Sequence, residues 1–341
     1  MPDRPRLTPA IADVRRAVRA GLALVPASDR VHGAERADGS ERADVLVALS
    51  GGADSMALAA AAAFEGPRAG LRIGAIVVDH DLQSGSAQVA DRARDAAAAL
   101  GLAPATVARV RVRTDGGPEA AARAARYSAI EDAARLAGAT RVLLGHTLDD
   151  QAETVLLGLA RGSGPDALAG MRLDDPPLLR PLLGLRRTIT RAACADAGLP
   201  VWDDPQNTDP AFARVRVRSS ALPALEAALG PGIAEALART ADQVQEDAAA
   251  LDALAAELAP EVAELAEAGI ALPVDLLVPN PRALVHRLIR LAVEDEFGVA
   301  LSRAHTLAAA SLVYEWHGQG PVDLPGIRVE RRDGRLCFRR R

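Results

Sequence analysis

The sequence contains no lysine and few aromatic residues. All 40 of its basic residues are arginine, 75 of its 341 residues are alanine, and aromatic residues make up 2% of the chain. Without lysine the chain can form no Schiff base and cannot supply the lysine of a Walker phosphate loop. With so few aromatic side chains, its core must be built from leucine, valine and alanine.

Cysteine and long apolar segments are scarce as well. Cys194 and Cys337 lie far apart and form no Cys-x-x-Cys motif, which argues against a disulfide scaffold, a zinc site or persulfide-based sulfur transfer. No uncharged apolar run reaches about 18 residues, and the N-terminal residues contain no apolar core of a signal peptide. We therefore expect no membrane segment and a cytoplasmic location.

The acidic balance of the chain limits its partners. The net charge is −5 at pH 7, so a nucleic-acid partner would need a local cluster of arginines. Such a cluster occurs between residues 172 and 218, and phosphate contacts of this kind position a nucleic acid without reading its sequence. The arginines that we assign to such contacts are Arg180, Arg186, Arg187, Arg214, Arg216 and Arg218.

The first part of the chain has the pattern of an α/β domain. Four short apolar runs alternate with alanine-rich stretches that are long enough for helices. They span residues 45–49, 73–78, 106–112 and 142–144, and a short amphipathic helix is predicted over 9–25. This alternation predicts βαβ units and a parallel sheet that is buried on both faces. Residues 26–44 are polar and rich in glycine, and they are predicted to form a mobile loop.

The pattern changes after about residue 220. Leucine and valine at helical spacing replace the alternation of strands and helices, which predicts helices over 233–259, 282–297 and 302–316. Pro260 is expected to end or kink the first of them. We therefore predict a catalytic domain over residues 1–220 and a mainly helical accessory domain over residues 221–341.

The accessory domain is predicted to end in a short β-hairpin. Segments 327–331 and 335–339 flank the dipeptide Asp333-Gly334, which is a typical hairpin turn.

A glycine-rich motif follows the first predicted strand directly. It reads Ser50-Gly51-Gly52-Ala53-Asp54-Ser55 and precedes a predicted helix. The glycines let backbone N–H groups approach an anion, and the helix N-terminus adds further N–H groups and a partial positive charge. Asp54 would repel an anion unless a divalent cation joins it to the phosphates. A plain glycine turn with a capping residue is the alternative, but the full pattern favours a nucleotide, with a metal at Asp54.

A second motif follows the fourth predicted strand. It reads Gly145-His146-Thr147-Leu148-Asp149-Asp150-Gln151-Ala152-Glu153-Thr154, at the sheet edge where ligands of open α/β sheets bind. Three carboxylates within one helical turn repel one another unless cations are present. Magnesium on ATP and the ammonium group of a substrate amine are two such cations. A solvated acidic helix N-terminus is the alternative.

These motifs resemble a known family. The first is similar to the SGGxDS loop of PP-loop ATP pyrophosphatases, which adenylate a carbonyl oxygen and release pyrophosphate. The second matches the GHxxDDQxET motif of one branch, the tRNA(Ile)-lysidine synthetases. Further stretches similar to that branch are Val78-Asp79-His80-Asp81-Leu82, Arg123-Ala124-Ala125-Arg126-Tyr127, Arg161-Gly162-Ser163-Gly164 with Gly170-Met171, Arg180-Pro181-Leu182-Leu183, and residues 202–218. Val215 departs from the pattern, because an asparagine often stands there.

The resemblance implies a PP-loop fold of the adenine nucleotide alpha hydrolase type and a set of site residues. ATP and Mg²⁺ are the implied cofactors, and Asp54 is the implied metal ligand. The implied catalytic residues are Asp54, Arg126, His146 and Asp150. ATP binding is implied for Ser50, Gly51, Gly52, Ala53, Asp54, Ser55, Asp79, His80 and Gly145. Lysine binding is implied for Asp149, Asp150 and Glu153. His146 is expected to donate to the α-phosphate, although a core histidine is the alternative.

The implied reaction has two steps and two substrates besides ATP. The C2 carbonyl oxygen of the wobble cytidine in a CAU anticodon of tRNA(Ile) attacks the α-phosphate, and pyrophosphate leaves. The ε-amine of free L-lysine then attacks C2 and displaces AMP. A homodimer is left open by the sequence.

Three other functions compete with this interpretation. A tRNA-thiolating PP-loop enzyme would need a well-placed cysteine pair, and an amidotransferase-type synthetase would need a glutaminase part. A nucleotide-binding sensor without chemistry would need no acidic site for an amine. The sequence favours none of the three.

Overall fold

The computed structural model describes residues 7–27, 42–79, 85–110, 118–162, 164–266 and 269–341. His80, Ser163, the side chain of Arg123 and residues 28–41 of the predicted mobile loop lie outside this part of the chain. Two compact units are present, Met1–Asp242 and Gln243–Arg341. The boundary at 220/221 that the sequence predicts lies inside the first unit.

The first unit is built on a mostly parallel sheet. Its strands are β1 (Val45–Leu49), β2 (Ile73–Asp79), β3 (Ala105–Arg109), β4 (Arg141–Leu143), β5 (Asp174–Asp175) and β6 (Leu178–Leu179). Within the described residues their order is β3-β2-β1-β4-β6-β5. The neighbours from β3 to β6 are parallel, whereas β5 is antiparallel to β6. The predicted α/β fold class and its four strands are confirmed, and the β5–β6 pair is an addition.

Helices pack on both faces of this sheet. The helices of the first unit are α1 (Pro9–Leu22), α2 (Ala53–Glu65), α3 (Ser86–Ala99), α4 (Pro118–Ala137), α5 (Leu148–Arg161), α6 (Pro165–Leu168), α7 (Arg187–Asp196), α8 (Ala213–Arg216) and α9 (Leu222–Leu229). Val45 and Val47 of β1 lie in a core cluster with residues of α1, α2 and α7, whereas Leu46 lies in another cluster with Ile130 of α4. Because successive side chains of β1 point to opposite buried faces, the strand is apolar throughout.

The second unit combines helices with a small sheet. Helix α10 (Ile233–Val262) leads into it, and β7 (Glu264–Ala266), β8 (Gly269–Pro273), α11 (Val274–Leu277), α12 (Arg282–Phe297), α13 (Arg303–Tyr314), β9 (Val322–Leu324), β10 (Ile327–Arg332) and β11 (Arg335–Arg340) follow. In the described residues the sheet has the antiparallel order β7-β8-β11-β10-β9. The sequence predicted only the β10–β11 hairpin of this sheet, so the accessory unit is less purely helical than expected.

Two local predictions in this unit have different outcomes. Helix α10 continues through Pro260 to Val262, because a proline in the last turn removes only one hydrogen bond near the end of the ladder. The hairpin turn is confirmed, since Asp333 and Gly334 have φ values of 49° and 74°, as two-residue hairpins with the twist of the strands require. No helix within the described residues is long and apolar enough to cross a membrane.

We expect Gly334→Ala to lower the free energy of unfolding by about 1–2 kcal/mol, because a Cβ atom is strained at positive φ. A Cβ at position 334 would meet no atom within 4 Å, so the cost comes from the backbone alone. Chemical denaturation measures it. Gly320→Ala is the control, since position 320 is equally open and does not have a left-handed backbone. Equal effects of the two substitutions would contradict the turn assignment.

Candidate active site

Residues 50–55, called the 50–55 loop below, comprise the turn after β1 and the first three residues of α2. The Ser50 N–H donates to Ser55 Oγ (3.2 Å), and this hydroxyl donates to the Gly52 carbonyl oxygen (2.9 Å). Gly51 has φ = 80°, a conformation that favours glycine. The first N–H groups of α2 have no partner within the helix. The loop therefore presents backbone donors and a partial positive charge at the carboxyl end of β1, as an anion site requires.

Two distant segments brace this loop. A Cβ atom on Gly145, which follows β4, would lie 3.1 Å from the Ser55 nitrogen, so a larger residue would push the two backbone segments apart. The Trp202 N–H donates to the Gly51 carbonyl oxygen at 3.0 Å. Glycine at position 145 thus allows the segment after β4 to pack closely against the loop, and the predicted role of Gly145 in ATP binding remains a prediction.

A single guanidinium joins three carboxylates next to the loop. Arg187 Nε lies 3.3 Å from Asp54 Oδ2, Nη2 lies 2.6 Å from Asp150 Oδ1, and Nη1 lies 3.4 Å from Glu153 Oε1. Burial opposes the positive charge on Arg187, but Asp150 and the other nearby carboxylates outweigh burial and raise its pKa. Arg187 is therefore a permanent cation at the centre of the acidic cluster, and not the exposed tRNA contact that the sequence suggested.

The two aspartates that share Arg187 have opposite pKa shifts. Burial raises the pKa of Asp54, although hydrogen bonds from Thr190 and Arg187 oppose the shift. Burial would also raise the pKa of Asp150, but Arg187 and the hydrogen bonds from Thr147 prevail and lower it. Asp54 therefore takes up a proton more readily than an ordinary aspartate, and Asp150 remains ionised.

The oxygens of the predicted lysine ligands are already bound by groups of the protein. Asp150 Oδ2 accepts from the N–H and the hydroxyl of Thr147, both at 2.8 Å, in a capping box at the start of α5. Glu153 has no solvent exposure, and Arg218 donates to its two oxygens at 2.7 and 3.1 Å. Asp149 is more open, with its side chain 20% exposed. Of the three, Asp149 is the carboxylate that a substrate ammonium can reach without displacing Arg187 or Arg218 side chains.

A cavity of about 370 Å³ opens beside Asp149 and Glu153. Its charged lining residues are Asp149, Glu153, Arg186, Arg218, Glu226 and Glu235. Leu222, Pro223 and Pro231 add apolar surface. A cavity with excess carboxylate and an apolar wall suits a cation on an aliphatic chain.

The six arginines predicted to bind tRNA do not share one environment. Arg180 is 4% exposed and donates to the Arg172 carbonyl oxygen at 2.7 Å. Burial keeps its guanidinium away from any phosphate, so Arg180 is removed from the tRNA-binding set. Arg186, Arg187 and Arg218 pair with carboxylates of the site.

The remaining two arginines of the set lie outside the acidic cluster. Arg214 is half-buried, and its Nη2 lies 3.4 Å from Thr154 Oγ1. Arg216 is exposed, and its Nη1 donates to the carbonyl oxygens of Pro210 (2.7 Å) and Ala211 (2.8 Å). Arg216 is therefore the member of the set that is best placed to meet a phosphate.

Other predicted residues are placed around the same sheet edge. His146 is half-buried after β4, and its charge helps to lower the pKa of Asp150. Asp79 is buried at the end of β2, with Arg109 Nε 3.9 Å from its Oδ2. Arg126 is exposed on α4. The roles proposed for these three residues remain predictions.

Two residues that sequence reasoning missed support the site. The Gln151 amide donates to the Met171 carbonyl oxygen (2.9 Å) and accepts from the Met171 N–H (2.8 Å). It therefore ties α5 to the segment before β5. The Thr190 hydroxyl donates to Asp54. A supporting role for Gln151 could have been predicted, because a buried side-chain amide needs both a donor and an acceptor as partners. No feature of the sequence indicated a role for Thr190.

The carboxylates near the 50–55 loop can be compared with what a magnesium ion requires. Within the described residues no group of three or more His, Cys, Asp and Glu side chains is arranged to hold a metal ion. Magnesium at phosphate sites often takes one or two carboxylates and completes its shell with phosphate oxygens and water. Asp54 beside the 50–55 loop thus fits an ion that arrives with a triphosphate.

Comparisons with known proteins give consistent findings. A PP-loop domain model matches residues 28–225, and a TilS substrate binding domain model matches residues 272–337. A tRNA(Ile)-lysidine synthase of Leifsonia xyli subsp. xyli is 62% identical, covering 95% of this chain and 99% of that protein. Proteins of the same name from Salinispora arenicola and Thermobifida fusca are each 49% identical, covering 97% and 96% of this chain and 96% and 97% of their own length.

A solved structure resembles the fold. The U34-tRNA thiolase NcsA from Methanococcus maripaludis superposes with a TM-score of 0.53 over 70% of this chain and 80% of that chain. Its sequence is 19% identical, so the likeness concerns the fold alone.

We expect Gln151→Glu to lower the free energy of unfolding by about 1–3 kcal/mol, because a carboxylate cannot donate to the Met171 carbonyl oxygen and would be buried against it. Urea unfolding provides the measurement. Gln88→Glu, on the exposed face of α3, is the matched control and should change stability by less than about 0.5 kcal/mol. An unchanged unfolding midpoint for Gln151→Glu would show that the amide does not hold this segment.

Proposed function

The chain belongs to the tRNA(Ile)-lysidine synthase family, and from this premise we propose that it joins free lysine to C2 of the wobble cytidine of tRNA(Ile) with a CAU anticodon. ATP is consumed in the reaction, and AMP and pyrophosphate are released. The observation that carries the proposal is the anion-binding 50–55 loop beside the Arg187 centre and its adjoining acidic cavity. One region thus offers a place for a triphosphate and a place for an amine. We place the reaction in the cytoplasm, where tRNA, ATP and free lysine meet.

The 50–55 loop is proposed to hold the phosphates of ATP. Its backbone N–H groups and the N-terminus of α2 would donate to phosphate oxygens, and Asp54 is the carboxylate that would hold a Mg²⁺ ion bound with them. Such an ion would neutralise charge on the phosphates and on the leaving pyrophosphate. Thr190 and Arg187 donate to the two oxygens of Asp54, and they fix the orientation of its carboxylate.

In the first step the C2 carbonyl oxygen of the cytidine attacks the α-phosphate, and the bond to pyrophosphate breaks. The contribution of the protein is to stabilise negative charge on the phosphate. The N–H groups of the 50–55 loop and His146 are assigned to that task. The product carries adenylate on O2, which makes C2 open to attack because AMP is a good leaving group.

In the second step the ε-amine of lysine attacks C2, and AMP departs. The amine must be neutral to attack, so a base accepts its proton. Asp150 has a lowered pKa and is held by Arg187 and Thr147, which makes it a weak base. We therefore assign Asp150 to positioning Arg187, and assign the carboxylate-rich cavity beside Asp149 to the lysine.

The chemistry of the cysteines does not support a tRNA-thiolating function. Cys194 is buried, and burial together with the nearby Asp54 raises the pKa of its thiol to about 11. At neutral pH such a thiol is protonated and weakly nucleophilic. Cys337 lies on β11 in the other compact unit. A nucleotide sensor is also disfavoured, because a sensor needs no acidic cavity beside its nucleotide.

The second unit offers a surface for the tRNA. The β10–β11 hairpin carries Arg328, Arg331, Arg332, Arg335, Arg339 and Arg340. Several of them pair with surface carboxylates, as Arg328 does with Asp323 at 3.1 Å. Exposed pairs of this kind contribute little stability, so phosphates can replace the carboxylates. Arg331 also lies 5.4 Å from the ring of the exposed Trp316, on which an unpaired base can stack.

The proposed activity is tested by incorporation of radiolabelled lysine. We expect lysine transfer to tRNA(Ile) with a CAU anticodon and not to tRNA(Met), which has the same anticodon.

Asp54→Asn should reduce tRNA-dependent pyrophosphate release at least about 100-fold, because the substitution removes the charge that faces the phosphate-bound ion. Asp95→Asn, on exposed α3, is the control. Near-normal release by the Asp54 variant in Mg²⁺ would rule out its metal role.

We expect Arg216→Ala to weaken tRNA binding and to leave ATP binding unchanged. Loss of one phosphate contact should reduce the slope of log affinity against log salt by about one. Filter binding at several salt concentrations measures this slope. Arg16→Ala on α1, which is also exposed, is the control. Equal slopes for wild type and Arg216→Ala would place Arg216 outside the tRNA interface.

A further inference from the structure

The cavity beside Asp149 has a deep end and a mouth. Glu153 lines the deep end and has no solvent exposure, and Asp149 is 20% exposed. Arg186 and Glu235 are 36% and 40% exposed and mark the mouth. Arg187 contacts both Glu153 and Asp54, so the deep end is the one next to the 50–55 loop. An amine that reacts at that loop must enter the cavity with its amino group first.

The charged groups of the cavity differ in how firmly they are held. Glu226 accepts from the N–H groups of Gly232 (2.8 Å) and Ile233 (3.1 Å), which makes it a fixed cap for the start of α10. Arg218 is held on both oxygens of the buried Glu153. These two groups serve the fold, and a ligand gains little from them.

Arg186 and Glu235 are held more loosely. Arg186 Nη1 lies 3.3 Å from Glu235 Oε1, and Nη2 lies 3.4 Å from Asp149 Oδ1. Both distances exceed those of strong charge-assisted hydrogen bonds, which are about 2.7–2.9 Å, and both partners of the Arg186–Glu235 pair are open to solvent. A ligand that brings its own carboxylate and ammonium can replace each half of this pair without leaving a buried charge behind.

The α-carbon of a free amino acid presents that pair of charges. We propose that Glu235 binds the α-ammonium group and Arg186 the α-carboxylate of the lysine substrate, an inference that rests on the proposed function. The four methylenes then pass the apolar wall at Leu222 and Pro223, and the ε-amine lies at the Asp149 end. Glu235 and Arg186 are thereby specificity residues for a free α-amino acid with a long amine side chain, and Arg186 is not a tRNA contact.

Two lysine analogues separate the two contacts. 6-Aminohexanoate lacks the α-ammonium, and cadaverine lacks the α-carboxylate. In lysidine formation by the full chain with tRNA(Ile), Glu235→Gln should raise the KM for lysine about 10- to 100-fold. The Ki of 6-aminohexanoate should stay unchanged or fall, because this analogue never used Glu235. Glu235→Asp, which keeps the charge, should recover part of the lost lysine affinity.

Arg186→Gln tests the other half of the pair from a different element, the N-cap of α7. It should raise the KM for lysine by a similar factor and leave the Ki of cadaverine unchanged or lower. A folding defect in one variant, detected by thermal unfolding, leaves the other variant as a complete test. Asp242→Asn, exposed and further along α10, should leave all three constants unchanged.

The outcomes distinguish this inference from the function on which it rests. Absence of lysidine formation by the wild-type chain would refute the proposed function itself. Lysidine formation together with equal rises of the lysine KM and the 6-aminohexanoate Ki in Glu235→Gln would overturn the assignment, because Glu235 would then bind the ε-amine end. An unchanged lysine KM in both variants would overturn it too. Pyrophosphate release without lysine should persist in each variant, since that step uses no amine.

Discussion

Three carboxylates around one guanidinium form the constraint on which the rest of the site depends. Asp54 lies in the first turn of α2, Asp150 and Glu153 lie on α5, and Arg187 begins α7. Without a cation these carboxylates would repel one another in a partly buried space. Removal of one partner from a buried ion pair costs about 3–5 kcal/mol, because an uncompensated charge remains. The positions of three helices around the 50–55 loop are thus coupled through one side chain.

The form of this centre depends on the geometry of arginine. A guanidinium is planar, has five N–H donors and stays charged under all ordinary conditions, so Arg187 can serve three carboxylates at once and Arg218 can bind Glu153 through two bonds. The internal cations hold the buried acids in place and keep Asp150 ionised. Asp149 and Glu235 contact Arg186 instead, at 3.4 and 3.3 Å. In the proposed mechanism this outer pair of acids is the part of the site that the lysine substrate meets.

The sequence predicted correctly those elements whose structure depends on their own residues and immediate neighbours. The strands of the parallel sheet are apolar throughout because both faces are buried, and the Asp333-Gly334 turn needs only its own two residues. Strands β7, β8 and β9 were missed. Each is at most five residues long, and β8 pairs with β11, more than sixty residues further along the chain. A short apolar segment has no periodicity long enough to separate a strand from a helix, so its partner decides its structure.

The sequence by itself determined which chemical groups stand at the edge of the sheet. The glycines, Asp54 and the acids of α5 directly follow strands, and parallel topology brings the carboxyl ends of those strands together. Tertiary structure decided which charges pair. Arg187 and Asp54 are 133 positions apart in the chain, and Arg218 and Glu153 are 65 apart. The residues around an arginine in the sequence do not predict which distant carboxylate its long side chain will pair with. Three arginines that looked like an RNA-binding patch therefore proved to be counter-ions of the acidic site, because the packing of α7 and the segment after α8 against α5 directs them there.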